Sequence, residues 1–396
     1  MRFRRNAGVG LKSPPAMPET EGRPAEPVTT QPAPSPVPQR KARGPVVLAS
    51  LGALAILAGA VALSWFQLRD DGEAPQLPTP AIIGQAQSVV LVVAGEDGRA
   101  TSLALFVSDG LEDHRLLVAP RDLTMQIPGY GDGSLGDALV VEDADLVRLS
   151  LVNELGVTID EAITLSPGDV ATLLGEPVRV DLPNPFIINT PEGNVVSAGA
   201  GSDVFVPETA ETLLQIQGTD SPLDWLLRQR AVWEAITDQI AASSDGAVSL
   251  SPSFGPLVEH LGEAVVSVLP VDRVGVGISE LYVVSRDADL LNERIAFLAL
   301  SATERPRVEI LNGTTLPGVT RPLAESLIEA GFRVIKTENA DERFRRDSLI
   351  IAQGVSNQQA ALDVQALLGG GDVVVQSSGS GVVDVSIIVG RDIATR

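Results

Sequence analysis

The segment LLVAPRDLTMQIPGYGDG, residues 116–133, joins an apolar run to an arginine, an aspartate and two groups of turn-forming residues. Its first four residues have the composition of a buried strand, which runs directly into Pro120-Arg121-Asp122. Arg121 and Asp122 therefore lie at the mouth of a hydrophobic strand. Their charges either serve a ligand or form an ordinary corner, in which the two side chains pair with each other or cap the strand.

Strands and helices alternate around this segment, over about residues 87–303. Ser88–Gly95 and Ser102–Ser108 are apolar runs of strand length, and Val178–Leu182 is a further predicted strand. Asp145–Leu155 has one apolar face at helical spacing, and a glycine follows it as a stop. This alternation predicts an α/β domain.

The clearest helix signal in this region is Ser221-Pro222, a capping serine followed by proline at the first helical position. Gln229 falls on the apolar stripe of this helix, whereas Arg228 is rotated by about 100° from it. An inward-facing glutamine needs a hydrogen-bond partner, which is either a ligand or a buried backbone carbonyl. Arg228 is either a ligand-binding residue or a solvated helix residue. The apolar stripe consists of Leu226, Trp233, Ile236 and Ile240.

Residues 307–392 form a second predicted α/β domain, a small two-layer one made of two β-α-β units. Helices are expected at Thr320–Ala330 and Asn357–Leu368, each between two apolar strands. Glu304-Arg305-Pro306 is the predicted joint between the two domains.

A run of 24 residues without charge, Pro45–Leu68, precedes both domains. As a helix it would be about 36 Å long, which is enough to cross a hydrocarbon core of about 30 Å. Basic residues before it and acidic residues after it predict a single-pass cell-membrane protein with residues 1–44 in the cytoplasm and the domains outside. The alternative is a cleaved signal peptide. The proline-rich residues 1–44 are expected to be disordered, and 69–86 to form a short stalk.

Composition limits the possible chemistry. The chain has no cysteine, which excludes disulfides and thiolate metal sites, and only two histidines, too few for a histidine-rich metal site. No G-x-S-x-G turn accompanies either histidine, as a Ser-His-Asp hydrolase would need. The formal net charge is −22, and the acidic excess lies after residue 44. Such a body repels nucleic acid, so no nucleic-acid partner is expected.

The second domain contains the stretch RVEILNGTTLPGVTRPLAESLIEAGFRVIKTENAD and ends on SGSGVVDVSIIVGRD. With these two stretches it resembles the LytR C-terminal domain of cell-envelope proteins. The resemblance implies an accessory domain outside the cell membrane and brings no catalytic residue with it.

The first domain contains a PRD element at Ala119–Asp122, an IPGYG element at Ile127–Gly131 and a late arginine-glutamine pair at Arg228-Gln229. With these motifs it is similar, over about residues 88–242, to the α/β/α catalytic domain of the LytR-CpsA-Psr (LCP) family. The resemblance implies transfer of glycopolymers from a polyprenyl-pyrophosphate carrier to peptidoglycan, with magnesium and several arginines on the pyrophosphate.

The chain departs from that family pattern at the residues that would do this chemistry. The family's R-S-D-T reads Arg99–Ser102 here, without the aspartate for the metal, and its paired arginines read Gln215–Gln217. No catalytic residue and no metal ligand set is therefore predicted. Five matching residues remain as candidates for a relic polyprenyl-phosphate site: Arg121, Asp122, Arg228, Gln229 and Asp97.

These observations predict a non-catalytic binding or scaffolding protein of cell-wall assembly, without a cofactor. Its expected partners are a polyprenyl-linked glycan, peptidoglycan or an envelope-assembly protein. The alternative is an active phosphotransferase that uses Mg²⁺, with Arg99 or Arg115 replacing the lost arginines. That alternative requires three or more arginines and two carboxylates to converge on one pocket beside Arg121.

Overall fold

The computed structural model of the protein describes residues 87–242, 260–274, 281–285 and 305–395, except 378 and 380. The predicted cytoplasmic tail, membrane anchor and stalk lie outside the described residues and stay predictions. Within the described ranges, no helix is both long and apolar enough to cross a membrane. The fold is mixed α/β, as predicted.

The first domain is built on a sheet with five strands among the described residues. Strands β1 (Gln87–Ala94), β2 (Ala100–Ser108) and β3 (His114–Ala119) pair in antiparallel fashion. Strand β6 (Glu161–Leu165) pairs in parallel with β1, and β11 (Val265–Val268) in parallel with β3, which gives the order β11-β3-β2-β1-β6. Every residue of β2 is buried, because both faces of the sheet are covered.

Helices cover the two faces, so alternate residues of β1 belong to two separate cores. Val90 lies in one core and Leu91 in the other. The first core contains helices α1 (Leu135–Val141) and α2 (Ala144–Leu155). The second contains α3 (Asp169–Leu174), α4 (Pro207–Gln215) and α5 (Pro222–Ala242). This arrangement is a three-layer α/β/α domain.

The end of one predicted helix and the start of another lie where the capping residues indicate. Helix α2 ends at Leu155, followed by Gly156 with φ of +69° as its C-cap. At the start of α5, Ser221 Oγ accepts a hydrogen bond from the Asp224 backbone N at 3.1 Å. Helices α1 and α4 have no counterpart among the predicted elements. Their seven and nine residues make too few turns for a clear apolar period.

Four two-stranded antiparallel sheets accompany the central sheet in the described part of this domain. Of their strands, β7 is the one predicted from the sequence. The pairs are β4 (Thr124–Ile127) with β5 (Gly131–Ser134), β7 (Val178–Leu182) with β10 (Gly201–Phe205), β8 (Phe186–Thr190) with β9 (Gly193–Ala198), and β12 (Val271–Val274) with β13 (Leu281–Val284).

The second domain contains the two predicted β-α-β units in one mixed sheet, of order β15-β14-β18-β16-β17. Strand β18 lies between the units, parallel to β14 and antiparallel to β16. The strands are β14 (Arg307–Asn312), β15 (Arg333–Asn339), β16 (Leu349–Gln353), β17 (Asp372–Gln376) and β18 (Val385–Val389). Helices α6 (Thr320–Glu329) and α7 (Gln358–Leu368) contact each other on one face of this sheet. A 3₁₀ turn (Val355–Asn357) and helix α8 (Arg391–Ala394) complete the domain.

Candidate functional site

Arg121 and Asp122 form the corner that follows β3. Nε of Arg121 lies 3.5 Å from Oδ1 of Asp122, and the guanidinium carbon lies 5.5 Å from the centre of the Trp225 ring. The Arg121 side chain is 26% exposed and that of Asp122 42%. The two side chains therefore pair with each other, as one of the two predicted alternatives has it, and both remain accessible to a ligand.

A second arginine lies close to this corner, because Gly136 allows the neighbouring chain segments to approach. A Cβ on Gly136 would lie 3.0 Å from Cβ of Arg121 and 3.2 Å from the carbonyl oxygen of Ala100. The residue before Ala100 is Arg99, whose Nε lies 3.3 Å from Oδ1 of Asp137. Each of the two arginines at this corner thus faces a carboxylate of the chain itself.

Asp97 shapes the turn between β1 and β2. Its Oδ1 accepts a hydrogen bond from the backbone N of Arg99 at 3.1 Å, and the residue is exposed. In the described part of the chain, neither Asp97 nor Asp122 belongs to a set of three potential metal ligands whose atoms lie within 4.8 Å of one another. Asp97 therefore lies near the corner without forming a metal-binding group there.

Arg228 is buried, with only 2% of the residue exposed, so the reading as a solvated helix residue is wrong. The connection between α4 and α5 folds over this side of α5 and supplies the partners, which the period of α5 alone does not show. Nε donates to the carbonyl oxygen of Leu213 at 3.1 Å, and the terminal nitrogens donate to the Asp220 carboxylate and to the carbonyl oxygens of Ile216 and Gln217. These bonds use four of the five guanidinium N–H groups.

The surroundings of Arg228 change its pKa but leave it positively charged. Desolvation lowers the pKa of Arg228 to about 10, although the charge of Asp220 opposes this effect, so the guanidinium stays protonated at neutral pH. Burial raises the pKa of Asp220, again with the partner's charge in opposition. The guanidinium lies 4.3 Å from the centre of the Phe186 ring. Arg228 is thus enclosed by the chain on several sides.

Gln229 is buried beside Arg228 and bonds to two backbone carbonyls. Its Nε2 donates to the carbonyl oxygens of Thr101, at 2.7 Å, and Leu214, at 3.0 Å. One turn further along α5, Trp233 Nε1 donates to Ser102 Oγ at 3.0 Å. The backbone-carbonyl alternative for Gln229 is therefore the one found, and its amide ties α5 to strand β2 and helix α4.

The predicted residues differ in exposure more than in place. Arg121, Asp122 and the turn of Asp97 share one end of the sheet. Arg228 and Gln229 follow Trp225, which contacts Arg121, by one turn of α5, but both point into the fold. Arg115, considered as a replacement arginine, lies near the opposite end of β3 and pairs with Asp113 at 2.6 Å. Among the arginines considered, two lie at the Arg121 corner.

The IPGYG element of the first domain packs against the second domain. Gly129 has φ of +86°, and a Cβ there would lie 2.6 Å from Cα of Arg321. Thr320 Oγ1 donates to the carbonyl oxygen of Gly129 at 3.0 Å, and Nε of Arg321 donates to Oε2 of Glu142 at 2.8 Å. Only glycine fits this position, because a side chain would collide with the first turn of α6.

Asn153 of α2 joins the domains through the backbone of β15. Its Nδ2 donates to the carbonyl oxygen of Val334 at 2.7 Å, and its Oδ1 accepts from the backbone N of Val334 at 2.9 Å. Arg305, in the predicted joint, donates to the carbonyl oxygens of Asn153 and Phe332, each at 2.8 Å. One apolar core continues through both domains, so the joint is part of a packed interface.

Another group of polar residues lies at the end of β3 opposite to Arg121. Their positions in the sequence do not predict that they are close to one another. The rings of His114 and His260 stack with centroids 4.7 Å apart, and Oε2 of Glu263 lies 3.5 Å from Nε2 of His114. His260 and Glu263 are three residues apart on one turn, which is the one local signal of this group. The approach of His114 depends on the fold and has no local signal.

Taken together, the described residues form an α/β/α domain that is packed onto a two-layer α/β domain, with an accessible arginine-aspartate pair at one end of the central sheet. Residues 305–392 match the family model LytR_C, described as LytR cell envelope-related transcriptional attenuator. The predicted LytR C-terminal domain is therefore confirmed. A comparison with curated proteins gives no significant match.

Solved structures that are similar in fold to part of this chain include TagV, TagT and a LytR-Csp2A-Psr enzyme. TagV of B. subtilis is 17% identical, with a TM-score of 0.44, over 54% of this chain and 96% of that one. The LytR-Csp2A-Psr enzyme from Actinomyces oris is 18% identical, with a TM-score of 0.42, over 53% and 89%. TagT bound to LIIa-WTA is 19% identical, with a TM-score of 0.42, over 53% and 91%.

Proposed function

We propose that this protein is a membrane-anchored, extracytoplasmic component of cell-wall assembly that binds or scaffolds and does not catalyse. The observation that carries the proposal is the burial of Arg228. In the LCP resemblance this arginine belongs to the pyrophosphate site, and a phosphate clamp needs N–H groups that are directed at the ligand. Here four of these groups bond to the chain's own oxygens.

The charges around Arg121 weigh against turnover of a pyrophosphate. Arg99 and Arg121 are accompanied by Asp97, Asp122 and Asp137, so a pyrophosphate would meet no net positive charge. Each missing charge-assisted hydrogen bond removes about 1.5–3 kcal/mol. At about 1.4 kcal/mol per tenfold change in rate, two missing contacts lower the rate roughly 10²–10⁴-fold.

The ligand class that we propose is a polyprenyl-phosphate-linked glycan. The Arg121 side chain is 26% exposed, and its guanidinium lies over the ring of Trp225, which is itself buried. A guanidinium binds a phosphate oxygen, and the buried ring would hold this one in position for it. Under this proposal Mg²⁺ is not required, and peptidoglycan or an envelope-assembly protein would be a further partner, held by the second domain.

The test is a titration of the full-length protein in detergent micelles with a short-chain polyprenyl pyrophosphate, with and without Mg²⁺. Calorimetry measures binding, and a colorimetric assay measures release of phosphate or pyrophosphate. Arg121→Ala should weaken binding by about tenfold or more, the value of one charge-assisted contact. Arg230→Ala is the matched control, because Arg230 is an exposed arginine of α5.

The expected result is binding without product release, weakened by Arg121→Ala and unchanged by the control. Product release that depends on Mg²⁺ would replace this proposal with the phosphotransferase alternative. Equal binding by Arg121→Ala and the unaltered protein would remove the corner as a ligand site.

The proposed anchor is tested independently of the ligand. Membranes from cells that produce the protein are washed with alkaline carbonate, which releases peripheral proteins. The full chain should stay in the membrane fraction, and a chain without residues 45–68 should not. Recovery of both in the supernatant would contradict the single-pass topology.

A further inference from the structure

The group formed by His114, His260 and Glu263 lies away from the Arg121 corner, and the proposed function does not use it. His114 is the first residue of β3, whereas Arg121 follows the last. His260 and Glu263 lie on the turn that leads into β11, the strand that pairs with β3. The three side chains therefore connect one end of the central sheet to the segment that enters its edge strand.

His114 is held in place and presents an unsatisfied nitrogen. The residue is 3% exposed, and its Nδ1 lies 2.8 Å from Oγ of Ser108, its partner across β2 and β3. In the tautomer whose Nδ1–H donates to Ser108, the lone pair is on Nε2. That nitrogen is buried and makes no hydrogen bond within the described part of the chain. A buried polar atom without a partner is unfavourable and calls for a ligand.

The two other side chains lie close to the His114 ring: Glu263 faces this nitrogen, and the ring of His260 is stacked on the ring of His114. A ring nitrogen of His260, a ring nitrogen of His114 and a carboxylate oxygen of Glu263 all lie within 4.8 Å of one another. The turn that carries them is fixed by Gly262, where a Cβ would lie 2.9 Å from the backbone N of Ala241 at the end of α5. Helix α5 thus sets the position of His260 and Glu263 relative to the sheet.

We propose that His114, His260 and Glu263 bind one Zn²⁺ ion. Two imidazole nitrogens and one carboxylate oxygen are a donor set that zinc prefers, whereas Mg²⁺ and Ca²⁺ prefer oxygen ligands alone. Three protein ligands leave a fourth position for water. Ser108 would fix the ring of His114 through Nδ1, as the second layer of hydrogen bonds around a metal commonly does.

The geometry allows the group to close on a metal ion. Zinc bonds of about 2.0–2.1 Å in tetrahedral arrangement place ligand atoms roughly 3.3 Å apart. The distance from Glu263 Oε2 to His114 Nε2 is already 3.5 Å, and the Glu263 side chain is 70% exposed and has room to rotate. His260 is half-buried at the surface. Its ring is stacked on that of His114 with 19° between the ring planes, so it has to rotate to direct a nitrogen lone pair at the ion. A bound Zn²⁺ ion would therefore link Glu263 and His260, at the surface, to the buried His114.

The test uses the full-length protein in detergent, stripped of metal with EDTA and dialysed. Zn²⁺ is titrated by calorimetry in excess Mg²⁺, which occupies weak carboxylate sites on the acidic surface, and bound zinc is counted by elemental analysis. One ion per chain is expected, and Co²⁺ in its place should give a visible absorption band. Glu263→Gln and His260→Gln each remove a direct ligand, so each should weaken zinc binding by at least the roughly 10–100-fold that loss of an outer-shell partner causes. The control Glu176→Gln, an exposed glutamate elsewhere, should leave binding unchanged.

Thermal unfolding separates the metal site from a simple ion pair between His114 and Glu263. Zinc should raise the melting temperature of the unaltered protein and of the control, and should not raise that of His260→Gln. A melting temperature that falls in Glu263→Gln while zinc has no effect on the unaltered protein would overturn the proposal in favour of the ion pair. Binding of several ions, unchanged in both site variants, would also overturn it, because the ions would then be on the acidic surface.

Discussion

Replacing Arg228 by methionine removes the guanidinium that holds the connection between α4 and α5, and it keeps most of the apolar stem. The Asp220 side chain, only 9% exposed, would lose its charged partner. Removing one member of a buried ion pair costs about 3–5 kcal/mol, because the other charge stays buried and unpaired. The carbonyl oxygens of Leu213, Ile216 and Gln217 also lose their donor. We therefore expect Arg228→Met to lower the free energy of unfolding by at least about 3 kcal/mol.

Urea unfolding followed by tryptophan fluorescence measures this loss. Arg230→Met is the control on the same helix, and because Arg230 is exposed its effect should stay within about 0.5 kcal/mol. The double variant Arg228→Met with Asp220→Asn should recover part of the stability, since it removes the unpaired charge.

A different outcome would identify Arg228 as a ligand-binding residue. If Arg228→Met unfolds within about 1 kcal/mol of the unaltered protein and still loses polyprenyl-pyrophosphate binding, the structural role assigned to this arginine is refuted. Arg228 would then be available to bind the pyrophosphate, as the phosphotransferase alternative requires. Unfolding and binding have to be measured on the same preparation, because an unfolded variant also fails to bind.

Three further substitutions test the domain interface and one ion pair. Gly129→Ala should loosen the second domain and raise hydrogen exchange in β15, whereas Gly318→Ala, which also has positive φ but no neighbour within 4 Å, should not. Asn153→Ala leaves a backbone N–H and C=O of β15 unpaired, and urea unfolding should show a loss of about 2–4 kcal/mol. Burial would raise the pKa of Asp384, but the hydrogen bonds and charge of Arg307 lower it below its ordinary 3.8. Its stabilising effect is therefore present above that pH and is lost as the pH falls through the lower folded value. Asp384→Asn should be less stable than the unaltered protein at neutral pH and should lose less stability on acidification, measured by unfolding at several pH values.

Local patterns in the sequence predict much of the second domain and the central strands of the first. Apolar runs identify β1 and β2, and capping residues give the start of α5 and the end of α2. These predictions depend on neighbours in sequence, and there the period of a helix or the run of a buried strand is sufficient. Helices α1 and α4 and the strands of the two-stranded sheets other than β7 give no such signal and are missed.

The site residues are harder to predict because their partners come from elsewhere in the chain. The period of α5 places Arg228 off its apolar stripe, but the α4–α5 connection covers that side and buries the residue. The amide of Gln229 is correctly expected to need a partner, and the fold supplies Thr101 and Leu214. The meeting of His114 and His260 depends on the pairing of β3 with β11 and leaves no local trace.

The segment from Arg121 to Gly131 links the accessible corner to the domain interface. Arg121 contacts Trp225 at one end of the segment, and Gly129 packs against Arg321 at the other. Between them, β4 pairs with β5, and Asn153 holds β15 nearby. A ligand bound at Arg121 would therefore have a fixed position relative to the LytR C-terminal domain. A scaffold needs such fixed geometry, because it has to present one bound group to another, and the burial of Arg228 adds to the rigidity of the same region.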